Sequence, residues 1–180
     1  VTEHNITPKY NGEYGTVKVK NESNREITAD TLTPNIALEN KKDVIIFHTH
    51  TCESYTPTEN FNYQMSGSYR TTDLNYSVAR VGTELEAQLT SYGFHVTHDK
   101  TYHDYPQYSG SYGKSLETVK NVLKAQPETQ MVIDLHRDAV GSMPDYAPCV
   151  KIGDETAAQL MFVIGSDGGG LQHLNWQNNL

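Results

Sequence analysis

Two short segments rich in histidine carry the residue types best suited to catalysis. Residues 48–53 read HTHTCE, and residues 134–138 read DLHRD. Catalytic zinc sites use three protein ligands, commonly two His and one Glu, and keep a fourth position open. A His-x-x-Glu spacing within a tight turn can direct two side chains at one ion, and a distant His can complete the set. We therefore predict that His50, Glu53 and His136 bind Zn2+.

The chemistry expected of such a site is hydrolysis. A bound zinc ion lowers the pKa of its water ligand towards neutrality and polarises a carbonyl group under attack, which suits amide cleavage. Arg137, next to His136, is the predicted catalytic side chain, because it could orient a ligand or anchor a substrate carboxylate. A structural salt bridge between Arg137 and Asp138 is the alternative interpretation.

His48 competes with His50 for the metal. On an extended segment, residues two apart point to the same side, so a His-x-His pair is sterically reasonable. That pattern would suit a phosphoesterase or a barrel hydrolase, whose further ligands would be Asp134, His136 and Asp138. We prefer His50, because its spacing to Glu53 allows a shared turn, and His48 is then a supporting residue or a substrate contact.

Three predicted strands must position the two segments. Residues 44–47 are a continuous apolar run, typical of a strand that is buried on both faces of a parallel sheet. Residues 94–98 and residues 131–135 are predicted as further strands, the latter also buried. Each of the two histidine segments therefore follows the end of a predicted strand.

Two helices and a hairpin are predicted around those strands. Thr72 or Asp73 is the expected N-cap of the first helix, and Gly93 is its expected C-terminal stop. Apolar residues at intervals of three and four place its buried stripe at Leu74, Val78, Val81, Leu85 and Leu89. The second helix contains residues 116–123 and ends near Pro127. Residues 149–152 are expected to pair with residues 159–164 across a turn at residues 153–154.

The order strand, helix, strand, helix, strand predicts an α/β fold. We expect a single domain with a mostly parallel central sheet flanked by helices. Residues 1–42 are predicted to be a lead-in arm, and residues 43–180 are predicted to be the domain. In such sheets the carboxyl ends of the strands meet at one edge, where ligands bind. We therefore expect the two histidine segments to meet at that edge.

Composition argues against several function classes. The 180 residues carry a net charge of −8 and no basic cluster longer than Lys41-Lys42, so no nucleic-acid partner is expected. No run of about 18 apolar residues is present, so we expect neither a membrane span nor a signal peptide in this chain. Cys52 and Cys149 could form one bridge or remain free thiols. A Cys52 nucleophile is less favoured than metal chemistry.

Several stretches resemble one protein family. They read VIIFHTHTCESY, SYRTTDLNYSVARVGTELEAQL, MVIDLHRDAVG and LMFVIGSDGGGLQHLNWQNNL. Over residues 43–180 the chain resembles the stage II sporulation protein P family of endospore-forming bacteria. The resemblance implies a zinc amidase-like fold and a peptidoglycan hydrolase. That hydrolase would be an N-acetylmuramoyl-L-alanine amidase with D,D-endopeptidase activity, which remodels the cell wall during forespore engulfment.

The resemblance also implies a location and partners. Family members act outside the cytoplasmic membrane, in the septal space, anchored by an N-terminal transmembrane segment, and they work with stage II sporulation proteins D and M. Related zinc amidases place a ligand Glu just before the first long helix, where this chain has RTTD at residues 70–73, which leaves Glu53 as the carboxylate ligand. The resemblance implies an acidic general base beyond Leu180, so we expect a fragment that could lack activity.

A non-catalytic wall-binding module is the alternative of a different class. The chain contains twelve tyrosines, whose rings suit contact with the apolar faces of sugars. Glycan binding would then depend on exposed tyrosines, for which the candidates are Tyr63, Tyr69, Tyr105 and Tyr108. Zinc content together with cleavage of purified peptidoglycan distinguishes the enzyme from the module.

Overall fold

The architecture of the chain comes from a computed structural model, which describes residues 2–5, 9–33, 37–38, 43–138, 146–167, 172–173 and 175–180. The chain divides into two compact units. One contains Val1–Ala37 and Val140–Leu180, and the other contains Leu38–Ala139. The predicted division into residues 1–42 and residues 43–180 stays a prediction about domain organisation.

A parallel sheet forms the centre of the Leu38–Ala139 unit. Its strands are β4 (Asp43–Phe47), β5 (His95–His98) and β6 (Thr129–Asp134). The strand order is β5-β4-β6, and both outer strands run parallel to β4. Residues 44–46 are at most 1% exposed, as expected for a central parallel strand with both faces covered. The predicted α/β class with a parallel sheet is confirmed.

Strand β6 is less buried than predicted. Its residues alternate between partly buried and exposed, and Val132 is 42% exposed. Within the described residues β6 has one neighbouring strand, β4, so it is an edge strand of this sheet. The prediction of a buried strand at residues 131–135 is therefore wrong for one of its two faces.

Helix α1 (Val78–Ser91) begins later than predicted. Its N-cap is Ser77, whose hydroxyl accepts a hydrogen bond from the helix backbone, and not Thr72 or Asp73. The amide of the first helical residue donates at 2.7 Å to the carbonyl of Glu53. That contact holds the preceding backbone against the loop after β4, so the helix can start only beyond it.

The end of α1 is as predicted, and its inward face matches the predicted stripe in part, since Val78 is buried and Leu85 and Leu89 are partly buried. Gly93 has a φ of 92°, and the following amides bond back to the last helical turn, which is a glycine-terminated C-cap. The buried helix residues are Val78, Ala79 and Gly82, whereas Val81 is 36% exposed. Consecutive helical residues are about 100° apart, so Val81 falls outside an arc that contains Gly82.

Helix α2 (Ser111–Ala125) starts before the predicted residue 116 and buries a polar face. Its buried residues are Ser111 and Ser115, while Leu116 and Leu123 are 53% and 37% exposed. The hydroxyl of Ser115 lies 2.7 Å from the Thr49 hydroxyl in the loop after β4. The inward face of α2 is therefore set by hydroxyl contacts to that loop and not by its leucines.

The other unit contains short strands. They are β1 (Thr2–Asn5), β2 (Gly12–Tyr14), β3 (Val17–Val19), β7 (Tyr146–Ile152) and β8 (Glu155–Ala158). The β7–β8 hairpin turns at residues 153–154 as predicted, but the prediction of residues 159–164 as its second strand is wrong. A two-residue turn makes the partner strand begin at once.

Among the residues that the structure describes, no helix is both long and apolar enough to cross a membrane.

Candidate metal centre

The ends of β4 and β6 bring the two histidine segments together. The amide of Leu135 donates at 2.9 Å to the carbonyl of Phe47, so the ladder between the two strands continues past the end of β6. After Phe47 the chain turns, and the amide of Glu53 bonds at 3.0 Å to the carbonyl of His50. This turn directs His50 and Glu53 towards His136, which follows β6.

The three predicted ligands lie in one cluster. One donor atom from each of His50, Glu53 and His136 lies within 4.8 Å of the other two. His50 Nδ1 is 3.1 Å from Glu53 Oε1, and His136 Nδ1 is 3.4 Å from Glu53 Oε2. Atoms that share a tetrahedral zinc ion at about 2.0–2.2 Å are separated by about 3.3–3.6 Å. The cluster therefore fits one divalent metal ion, although its role as a ligand set stays a prediction.

Asp134 orients His136. Its carboxylate accepts from His136 Nε2 at 3.0 Å and from the amide and hydroxyl of Thr49 at 2.9 and 2.7 Å. Donation from Nε2 leaves Nδ1 facing Glu53, which is how a second carboxylate fixes a metal-binding imidazole. The hydrogen bond to Asp134, with the contact to Glu53, raises the pKa of His136 to about 10. A metal ion that binds Nδ1 must therefore displace a proton.

Both carboxylates of the cluster are ionised in spite of their burial. Burial raises the pKa of Glu53, but the hydrogen bonds from His136 and from the backbone amide of Arg137 outweigh it, and the pKa lies below its usual value. Burial likewise raises the pKa of Asp134, and the bonds from His136 and Thr49 reverse that effect. The two carboxylates thus supply two negative charges, and the protonated His136 balances one of them until a metal ion takes the place of its proton.

Aromatic rings cover one side of the cluster. Tyr108 stacks on His50 with ring centroids 4.7 Å apart, and Tyr112 meets His50 edge-on at 5.3 Å. These two tyrosines are 58% and 66% exposed, whereas His50 is 7% exposed. The side chain of His136 is 30% exposed, so the cluster meets solvent mainly beside His136.

A buried ion pair supports the loop that contains Glu53. Arg70 pairs with Asp104, whose side chain is fully buried and also accepts the backbone amide of Cys52. The guanidinium of Arg70 lies 5.1 Å from the Tyr108 ring centroid.

Cys52 and Cys149 are both free, and burial raises the pKa of Cys52 to about 12. A Cys52 thiolate nucleophile is therefore disfavoured.

His48 does not lie with the three predicted ligands. Its Nδ1 is 2.7 Å from the carbonyl of Leu135 and its Nε2 is 2.8 Å from His98 Nε2, so both ring nitrogens are engaged. Burial lowers the pKa of His48 to about 4. His48 is fully buried, so it has no surface for a substrate. Its contacts fit the predicted supporting role better than a His48-x-His50 metal pair, and that role stays a prediction.

The guanidinium of Arg137 lies beside the cluster. It donates to the carbonyl oxygens of Tyr69 at 3.0 Å and of Asp138 at 3.4 Å. The bond to Asp138 is made to its backbone carbonyl, so these two bonds do not form the side-chain salt bridge of the alternative interpretation. Its buried Nε has no hydrogen-bond partner among the described residues. Arg137 thus places a positive charge next to the predicted metal ligands, with its Nε buried.

The sequence interpretation missed two parts of the site. The residue types indicate Asp134 only as an alternative metal ligand, although the Asp-x-His spacing places Asp134 and His136 on one side of an extended segment and is the signal for their contact. No local signal predicts the stacking of Tyr108 on His50. Of the tyrosines proposed for glycan contact, Tyr105 and Tyr108 are exposed, whereas Tyr63 and Tyr69 are partly buried.

Fold and site together define the class of protein. It is an α/β protein with a candidate metal centre of two His and one Glu at the carboxyl ends of neighbouring parallel strands. Residues 2–180 match the family described as Stage II sporulation protein P, and the chain belongs to this family. The match confirms the resemblance noted over residues 43–180 and extends it towards the amino terminus.

A curated relative supports the same family. Stage II sporulation protein P of Bacillus subtilis (strain 168) is 30% identical over 143 residues, which cover 73% of this chain and 33% of that protein. The chain therefore spans about a third of the length of this relative. No solved structure matches the chain. Membership places the chain in a sporulation-associated family.

Proposed function

We propose that this chain is the zinc-binding part of a peptidoglycan hydrolase. The reaction is that of an N-acetylmuramoyl-L-alanine amidase, with D,D-endopeptidase cleavage as a second reaction, in cell-wall remodelling during forespore engulfment. The observation that carries the proposal is the cluster of His50, Glu53 and His136, whose donor atoms lie within 4.8 Å of one another. Membership of a sporulation family supports the process, and the two-His, one-Glu donor set supports zinc.

His50, Glu53 and His136 would hold the metal. When bound, zinc supplies a Lewis acid that activates water and polarises the amide carbonyl. Asp134 keeps Nε2 of His136 as a donor, so Nδ1, which faces Glu53, would be the atom available to a metal. The backbone amide of Arg137 donates at 2.8 Å to Glu53 Oε2 and fixes the carboxylate. The ligand set is therefore oriented by the protein before any ion binds.

Substrate would approach beside His136, the most exposed of the three ligands. The exposed rings of Tyr108 and Tyr112 border the cluster, and a sugar ring can pack on such aromatic faces. Arg137 is partly exposed beside the cluster, and its positive charge would attract a carboxylate of the stem peptide. These neighbours suit a substrate that joins a glycan strand to an anionic peptide, which is the chemistry of peptidoglycan.

The whole protein is proposed to act outside the cytoplasmic membrane. The family resemblance implies a membrane anchor in the full-length protein and the partners stage II sporulation proteins D and M. It also implies an acidic general base. Since the chain spans about a third of its relative's length, these parts of the proposal concern the full-length protein.

Cleavage of purified peptidoglycan tests the proposal. We expect the zinc-loaded full-length protein to release stem peptides with a free L-alanine amino group, detected by mass spectrometry, and His136→Ala to lose this activity by at least ~1000-fold. The matched control is His95→Ala, because His95 is 68% exposed and lies outside the cluster. Peptidoglycan binding without cleavage under zinc-replete conditions would contradict the enzyme and support a non-catalytic module.

A further inference from the structure

A second histidine cluster lies next to the metal centre and contains none of its predicted ligands. His48 is fully buried and the side chain of His98 is 1% exposed, and their Nε2 atoms are 2.8 Å apart. His98 Nδ1 is 3.2 Å from Glu86 Oε2, and His48 Nδ1 is 2.7 Å from the carbonyl of Leu135. A continuous chain of contacts thus runs from Glu86 on helix α1 to the end of strand β6.

The Leu135 carbonyl at the end of this series of contacts determines which ring nitrogens carry hydrogens. A carbonyl oxygen can only accept, so His48 Nδ1 carries the hydrogen that bonds to Leu135. A neutral imidazole with that hydrogen has a lone pair at Nε2, and His98 Nε2 must therefore donate to it. His98 Nδ1 then faces Glu86 Oε2, which lies 3.2 Å away. Because this series of contacts ends at a carbonyl, it cannot pass a proton on to His136. Its effect is to hold the Leu135 carbonyl and the two imidazole rings in place.

A glycine in helix α1 makes room for the two rings. A Cβ atom at Gly82 would lie 2.5 Å from His98 Nε2 and 3.0 Å from His48 Nε2. Glycine within a helix is less favourable than alanine. Its presence there is explained by the close approach of the imidazole pair to the helix backbone. The pair is thus built into the packing between helix α1, strand β5 and the loop after β4.

We propose that Glu86, His98 and His48 form a positioning relay for the metal ligand His136. The Leu135 carbonyl held by His48 belongs to the peptide unit whose nitrogen is that of His136, and this unit is planar. Fixing the carbonyl therefore fixes the backbone from which the His136 ring is directed at Glu53. The inference rests on the proposed metal site, whose geometry these three residues would maintain.

Substitutions at His98 test the relay with a matched pair. His98→Gln keeps an amide N–H that reaches His48, whereas His98→Leu has similar bulk and no donor. We expect His98→Leu to weaken zinc affinity by ~10–100-fold, the range found for residues that orient metal ligands, and His98→Gln to stay within ~3-fold of wild type. His95→Leu, on the exposed side of the same strand, should change nothing. Zinc affinity is measured by competition with a chromogenic chelator.

A metal-free readout separates this inference from the metal site itself. The imidazole nitrogen NMR signals of His136 should shift in His98→Leu and return towards wild type in His98→Gln. If His98→Leu does not fold, Glu86→Leu replaces it, with Glu84→Leu as the exposed control on the same helix. Unmoved His136 signals with unchanged zinc affinity, or equal loss in both His98 variants, would overturn the relay. A wild-type protein that binds no zinc would instead overturn the proposed metal site, and the His136 signals would still decide the relay.

Discussion

Glu53 is the residue on which the cluster depends most. Its two carboxylate oxygens face different histidines, Oε1 towards His50 and Oε2 towards His136, and Oε2 also accepts the Arg137 amide. A buried carboxylate with three such contacts is held in one orientation. The local spacing of His50 and Glu53 suggested a shared turn, and the structure adds the reason why this Glu, of all those in the chain, can meet both histidines.

The side chain of Arg137 is expected to contribute substrate affinity and not metal binding. Its backbone amide contacts Glu53, and a substitution keeps that bond, while the guanidinium bonds only to carbonyl oxygens among the described residues. We predict that Arg137→Lys raises KM by ~10-fold with kcat within ~3-fold of wild type, because Lys keeps the charge but not the forked geometry. Zinc content should be unchanged. A large fall in kcat at constant KM would contradict a binding role.

At the scale of elements, the site follows from the adjacency of two strands. The apolar run at residues 44–47 and the polar segments after two strands were enough to predict that His50 and His136 meet. The start of helix α1 was not predictable, because it is set by a backbone contact to Glu53 that no local pattern encodes. The polar inner face of helix α2 was not predictable for the same reason, since Ser115 is buried against its hydrogen-bond partner Thr49.

Two glycines in helices provide a test of packing at this scale. Gly82 in α1 lies against the His48 and His98 rings, whereas a Cβ atom at Gly113 in α2 would meet nothing within 4 Å. We predict that Gly82→Ala lowers the free energy of unfolding by about 1–3 kcal/mol through overpacking. Gly113→Ala should raise it by up to about 1 kcal/mol, because alanine favours the helix. Denaturant unfolding of both variants measures the difference, and equal effects would show that the rings do not constrain Gly82.

For the whole molecule, family membership and site geometry support each other at different levels. The family match over residues 2–180 establishes membership of a sporulation-associated family, and the cluster at the ends of β4 and β6 is the observation behind the proposed metal-dependent reaction. The sequence interpretation predicted the α/β class and the meeting of the two histidine segments. It could not predict Asp134 as the partner of His136 or Tyr108 as the cover of His50, since both depend on tertiary contacts.

The central claim is that His50, Glu53 and His136 bind one zinc ion. The most direct measurement is zinc stoichiometry by elemental analysis after exhaustive dialysis of the protein. We predict about one zinc per chain for wild type and for His95→Ala, and less than about a tenth of that for His136→Ala and for Glu53→Gln. Full zinc occupancy in His136→Ala, or no zinc in a folded wild-type protein after zinc loading, would contradict the assignment.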